Sequence, residues 1–172
     1  MAEDQVVDIE DDLYDDEDTQ KDKYLTFHLA GEEYGLDIAF VTEIIGIQKI
    51  TEVPDMPDFV KGVINLRGKV IPVMDVRIRF HLSERSYDER TCIVVVDING
   101  TAVGLVVDQV SEVADIPEKD VEPPPQTTQG STSRYLKGMG KVNDEVRILL
   151  NVDKLLHDEE LEQLGAGSQA AA

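Results

Sequence analysis

Gly31-Glu32-Glu33-Tyr34-Gly35-Leu36-Asp37-Ile38-Ala39-Phe40-Val41-Thr42-Glu43-Ile44 returns 69 residues later as Gly100-Thr101-Ala102-Val103-Gly104-Leu105-Val106-Val107-Asp108-Gln109-Val110-Ser111-Glu112-Val113. The glycines and apolar positions are kept, while the residues between them drift. A second echo follows at an offset of 76, where Lys61-Gly62 answers Lys137-Gly138. There Val70, Val73, Met74, Asp75, Val76 and Phe80 answer Val146, Leu149, Leu150, Asn151, Val152 and Leu156. The seven extra residues are absorbed by Pro123-Pro124-Pro125-Gln126-Thr127-Thr128-Gln129, a run that only the second half carries. In a chain of 172 residues this doubling implies two copies of one unit, each of roughly 60–75 residues. Units that small bury little core alone, so the two are expected to share an extensive apolar interface.

Outward from the repeat, the pattern is that of strands. Tyr24–Ala30 alternates partly, stops at Gly31 and opens a hairpin into Tyr34–Ile38. Ala39–Ile44 is read as one helical turn before the apolar stretch to Ile50, and Pro54 and Pro57 break the chain. Phe59–Leu66 and Lys69–Met74 are expected to pair about Arg67-Gly68, followed by a short helix over Asp75–Leu82 with Asp75 as its N-cap. Ser83–Glu89 is a polar connector. Thr91–Ile98 and Ala102–Val107 flank Asn99-Gly100, the strongest short hairpin signal in the chain. Val110–Ile116, Tyr135–Lys141 and Val146–Asn151 supply further strands, and Asn151 caps a short helix to about Leu156. No helices of the length that parallel crossovers need lie between the strands, so small barrels in tandem fit better than a parallel sheet.

Composition narrows the function. Net charge is −20, and residues 1–22 contribute half of it, with eleven acids against Lys21. Such a tail repels itself and has little to bury, so disorder and a solubilising role are expected. A chain this acidic is repelled by phosphate backbones and anionic lipid, which argues against binding nucleic acid or inserting into a membrane. The acids from Asp8 resemble a calcium loop only superficially, because Leu13 stands where the glycine of the sharp turn belongs and Thr19 where the bidentate glutamate belongs. No apolar run spans a membrane and no secretory leader is read. One cysteine, Cys92, excludes an internal disulfide framework; it lies in an apolar strand and is expected to be buried and inert.

Catalytic chemistry has no evident seat. His28, His81 and His157 lack motif-level neighbours, and phosphate-loop, dinucleotide, H-E-x-x-H and C-x-x-C patterns are absent. Neither an enzyme, a cofactor nor a metal is expected. What stands out is Lys61–Asp75. A hairpin explains its Asn65, Gly68 and Pro72, and its Val63, Ile71 and Val73 as core, but it does not explain Arg67. A turn has no need of a guanidinium, whereas a partner's carboxylate is well matched by one.

At these residues the chain closely resembles the CheW family of chemotaxis coupling proteins. The resemblance is carried by Glu33–Ile38 with Val41, Glu43 and Ile44, by Val60–Gly68 through Pro72 and Asp75-Val76-Arg77, and by Val103–Asp108 with Val110-Ser111. Tyr135–Gly138 and Ile148–Asn151 complete it, from about Tyr24 to Leu164; the acidic tail departs from the family pattern. The resemblance implies a mainly β fold of two tandem, intertwined, five-stranded SH3-like barrels with short helices. Its divisions are an acidic tail at 1–22, a first barrel subdomain at 23–85, a second with a C-terminal helix at 86–164, and a frayed end at 165–172. It further implies a cytoplasmic, non-enzymatic adaptor, recruited to membrane-associated receptor arrays. Its partners are the cytoplasmic tips of chemoreceptors and the regulatory domain of the histidine kinase CheA. Gly62, Asn65, Arg67, Gly68 and Val113 fall by motif on the receptor-facing region, and Val41, Glu43 and Ile44 on the surface docking the kinase. The alternative within the resemblance is a regulatory module of a related signalling protein. The two copies differ where it matters: Asn65-Leu66-Arg67-Gly68 is answered by Lys141-Val142-Asn143-Asp144.

Overall fold

A computed structural model describes residues 20–98, 100–124 and 135–156. The expectations for the acidic residues 1–19, for His157 and for the C-terminal end lie outside the described residues, as does Asn99. Eleven strands are described: β1 Lys23–Leu29, β2 Glu32–Asp37, β3 Val41–Gly46, β4 Val60–Leu66, β5 Lys69–Asp75, β6 Cys92–Ile98, β7 Thr101–Val107, β8 Gln109–Asp115, β9 Val121–Glu122, β10 Leu136–Val142 and β11 Glu145–Leu150. Two short helices, α1 Val76–Arg79 and α2 Val152–Leu156, follow β5 and β11.

The strands form two sheets in the orders β8-β1-β2-β11-β10-β9 and β3-β6-β7-β5-β4. Under the repeat offsets β3, β6, β7, β5 and β4 correspond to β8, β1, β2, β11 and β10, so the sheets are copies of each other. Yet each sheet draws on both halves of the chain. The β1–β2 hairpin pairs with β8 and β11, and β3 and β5 pair with the β6–β7 hairpin. The repeat and the sheet are therefore different divisions of the chain, and the barrels are intertwined by exchanged hairpins. The first sheet also gains a sixth strand, the two-residue β9, which the sequence reading of five strands lacks.

The repeated glycine of the opening motif has one physical task in both copies. Gly35 on β2 lies opposite Leu149 on β11, and Gly104 on β7 lies opposite Val73 on β5, each in a parallel pair. A Cβ at Gly35 would sit 2.8 Å from Leu149 Cδ2, and one at Gly104 2.8 Å from Ile93 Cγ2 and 3.4 Å from Val73 Cγ2. Only a residue without a side chain lets these neighbours fill the barrel.

Among the described residues three apolar clusters result. Ile64, Ile71, Val73, Ile93, Val95 and Val106 fill one barrel, and Tyr24, Ala114, Ile116 and Leu149 fill the other. Between the barrels lies the largest cluster, with Leu25, Phe27, Leu29 and Leu36 from one sheet and Val94, Val96, Val103, Leu105 and Val107 from the other. The run Cys92–Val96 of β6 is continuously apolar because both its faces are covered: Ile93 and Val95 face a barrel interior while Val94 and Val96 face the shared core. Each such side chain contributes about 1.5–3 kcal/mol on burial. Phe27, Tyr34, Phe80 and Tyr135 stack in series through the shared core at centroid distances of 5.9, 5.9 and 6.0 Å. The buried Arg79 guanidinium lies over the rings of Phe59 and Tyr135, at 4.3 and 4.5 Å.

Four local expectations need correction. The helical turn read over Ala39–Ile44 is confined to a 3-10 turn at Ile38–Phe40, and the chain is already extended in β3 from Val41. Val63 is half-buried, and the neighbouring Ile64 fills the core instead, because a bulge between Val60 and Gly62 shifts the alternation of β4. Cys92 is half-buried; it opens β6, with its Sγ–H donating to the Arg90 carbonyl at 3.3 Å. The helix expected over Asp75–Leu82 is a single turn, Val76–Arg79, although Asp75 is its N-cap, accepting from Arg77 N at 2.9 Å. Asn151 likewise accepts from Lys154 N, at 3.1 Å, at the start of α2.

Candidate interaction surface

β4 and β5 are joined by the two-residue turn Arg67-Gly68, closed by the Leu66–Lys69 pair. Both turn residues have positive φ, 52° and 84°, as the twist of a tight hairpin demands. Asn65 Oδ1 accepts from Gly68 N at 2.8 Å and holds the turn. Glycine suits such a position; arginine is strained there by about 1–2 kcal/mol. In the equivalent turn of the second copy, Asn143 and Asp144 have φ of 50° and 66°, and asparagine tolerates that region well. Arg67 thus breaks a local rule that its counterpart obeys.

The guanidinium reaches the carboxylate of Glu43 on β3, forming an ion pair between Arg67 and Glu43. β3 and β4 are the two edges of their sheet, so this contact spans the seam where the sheet curls on itself. The Arg67 side chain remains 71 % exposed, so most of its donors face solvent. Two residues that the sequence reading assigned to different partners are therefore in direct contact. Ile44, next to Glu43, and Val113 on β8 are the same position in the two copies, and both lie half-buried against the shared core.

The other two residues point inward. Val41 is buried in the shared core. Gly62 is buried with φ of 148°, and a Cβ there would lie 2.0 Å from the Thr51 carbonyl oxygen. It permits the backbone of Thr51 to pair with Val63, through hydrogen bonds of 2.8 and 2.9 Å. These two shape the surface from beneath.

Sequence reasoning missed a polar clasp at the junction of the sheets. Asp108, between β7 and β8, accepts from Arg77 Nε of α1 at 2.8 Å and from the backbone N–H of Ala30, in the β1–β2 turn, at 3.0 Å. Arg85 approaches it at 3.5 Å. Burial pushes the Asp108 carboxyl up, but the hydrogen bonds from Arg77 and Ala30 and the charges of both arginines outweigh it and hold the group below the usual aspartate range. The Arg77 guanidinium is raised in turn by that same bond. Asp75 also accepts from the Tyr87 hydroxyl at 2.8 Å, and burial together with this bond pushes the Tyr87 phenol up. Both Arg77 and Asp108 lie within the motifs quoted above, but their meeting depends on the exchange of hairpins.

Among the described residues no group of three or more His, Cys, Asp or Glu is placed to hold a metal ion, and no helix is long and apolar enough to cross a membrane. The described surface offers hairpin tips, strand edges and the fringe of a shared core. Residues 23–160 match the model of the CheW-like domain. The chain belongs to the CheW family. It is 39 % identical over 144 residues to the chemotaxis protein CheW of Klebsiella aerogenes, covering 84 % of this chain and 87 % of that protein. It is 33 % identical to CheW of Treponema pallidum, covering 81 % of this chain and 85 % of the relative. The crystal structure of the scaffolding protein TtCheW from Thermoanaerobacter tengcongensis superimposes with a TM-score of 0.74 at 40 % identity, covering 81 % of this chain and 94 % of that one. The expected fold, two barrel-like sheets with few helices, is the fold of that CheW structure. The chain is accordingly a chemotaxis coupling adaptor of the CheW scaffold family; the alternative of a module from a related signalling protein is not favoured, since these matches cover most of proteins that are themselves CheW.

Proposed function

We propose that the chain works in the cytoplasm as a non-enzymatic adaptor, holding chemoreceptor tips and the regulatory domain of CheA together at membrane-associated arrays. The receptor tip meets the β4–β5 hairpin, through Asn65, Arg67 and Gly68, and the fringe of the shared core at Val113. The kinase domain docks beside it on β3, through Glu43 and Ile44, while Val41 and Gly62 support these surfaces from within. The observation that carries this reading is Arg67: an exposed guanidinium held on a strained turn and shared with Glu43. A helical receptor tip can lay an apolar stripe against the half-buried fringe while a charged rim sets its register. Such coupling needs no bond to be made or broken, only two partners held against one rigid body.

Arg67→Glu tests the assignment. It reverses the charge offered to the receptor and sets two carboxylates against each other at the seam. Capture of a soluble receptor-tip fragment is expected to fall at least about tenfold, as for loss of one charged contact at an interface. The circular dichroism spectrum and the melting temperature should stay close to those of the parent. A folded variant that captures the receptor fragment as before would overturn the assignment.

A further inference from the structure

In a chain of net charge −20, the stretch Phe59–Met74 carries Lys61, Arg67 and Lys69 and no acid at all. The antiparallel bridge between Thr51 and Val63 runs the residues before Thr51 toward the Asn65 end of β4, which brings Lys49 to the same end of the hairpin. Lys49 and Lys69 are exposed, and neither forms an ion pair among the described residues. Arg67 engages Glu43 through one nitrogen and keeps its other donors free. The corresponding strand β10 is different, because Lys141 pairs with Glu122 and Lys137 bonds the Tyr24 hydroxyl at 2.7 Å.

Residues 1–19 hold ten acids and no lysine or arginine. They join the body just ahead of β1, whose first residue Lys23 pairs with Asp115. The cleft at that point, about 470 Å³, has three acids, Asp22, Glu118 and Glu122, against one cation, Lys137, among its described lining residues, and so offers an acidic segment little. Nineteen extended residues reach about 60 Å. A folded body of roughly 140 residues is only about 40 Å across. The segment can therefore reach the cationic hairpin, and its tether holds it there at an effective concentration on the order of millimolar.

We propose that the acidic segment Glu3–Asp18 docks on the Lys49–Arg67–Lys69 tip of the β4–β5 hairpin and competes there with the receptor. The docking stands on charge and reach alone, whereas the competition rests on the receptor reading of the hairpin given above. Being a contact between exposed charges, it weakens as salt shortens the screening length from about 20–30 Å at low ionic strength to a few ångströms near 1 M. Competition with the receptor is then strongest at low salt and fades as salt is added.

A spin label on Leu13→Cys in a Cys92→Ser background of the full chain reads the docking directly. At about 20 mM salt the amides of Lys49 and of residues 65–70 should broaden; about 0.5 M salt, or the pair Lys49→Gln and Lys69→Gln, should restore them. Uniform or absent broadening, or broadening centred elsewhere, would overturn the docking. In a second arm, the ten acids of residues 1–19 are changed to their amides. Capture of a soluble receptor-tip fragment at low salt should then rise several-fold, and the gain should vanish at high salt. Broadening at the hairpin with unchanged receptor capture would keep the docking and overturn the receptor reading of that surface.

Discussion

Arg67 occupies a backbone conformation that arginine ordinarily avoids, at a turn where the second copy places asparagine. Relief of that strain, about 1 kcal/mol, and loss of an exposed ion pair worth about 0–1 kcal/mol nearly offset each other. Arg67→Asn should therefore leave stability within about 1 kcal/mol of the parent while receptor capture is lost, with denaturant midpoint and pull-down measured on the same preparation. A large loss of stability would mean that the Arg67–Glu43 pair chiefly closes the barrel seam and has no special bearing on a partner. The oddity of Arg67 is readable in sequence, because a turn has no use for a guanidinium. Its partner is not, because Glu43 lies 24 residues away on the opposite edge of the sheet.

Among the elements, β5 and β11 are copies whose inward positions differ in polarity at one place. β5 places Ile71 there, in the barrel core beside Ala102 of β7. β11 places Arg147, whose side chain is only 8 % exposed and pairs with Glu33 of β2 and with Glu145. A buried ion pair is seldom more stable than the apolar pair that could replace it, but removing one member leaves a charge stranded. Arg147→Ala should cost about 2–3 kcal/mol, discounted because Glu33 keeps some contact with water. Glu33→Ala combined with Arg147→Ile, which rebuilds the other copy's pair, should lie within about 1 kcal/mol of the parent. Urea unfolding of both variants checks the contrast, and equal losses in the two would sink it. The strands themselves were legible because alternation and turn residues are local signals. Val63 was misread because a bulge two residues upstream flips the face, and an extra residue in one strand leaves no mark on composition.

For the whole molecule, exchange of the two hairpins means that each barrel is built from both halves of the chain, and opening either one exposes the apolar cluster that the two share. Asp108 sits at that exchange and ties α1 to the β1–β2 turn. Its carboxyl titrates below the unfolded value of about 3.9, so the clasp contributes stability above that pH and loses it as pH falls through the folded value. Asp108→Asn should be less stable than the parent at neutral pH, and its stability should fall less steeply below about pH 4. Denaturant titrations between about pH 3 and 7 measure both slopes, and parallel curves would show that Asp108 does not carry the acid sensitivity. At every pH both sheets should lose structure in one transition.

The sequence by itself determined the repeat, the strands and turns, the acidic segment, the family likeness and the unusual Arg67. All of these depend on residues near one another along the chain or on patterns that recur at fixed spacing. Tertiary structure alone decided which hairpin joins which sheet, that Val41 and Gly62 face inward, and that Arg67 meets Glu43. Strand partners are chosen by the burial of two faces at once, and in a doubled chain each hairpin finds nearly equivalent neighbours in both halves. The local pattern is satisfied either way; packing around the shared core selects the exchanged arrangement.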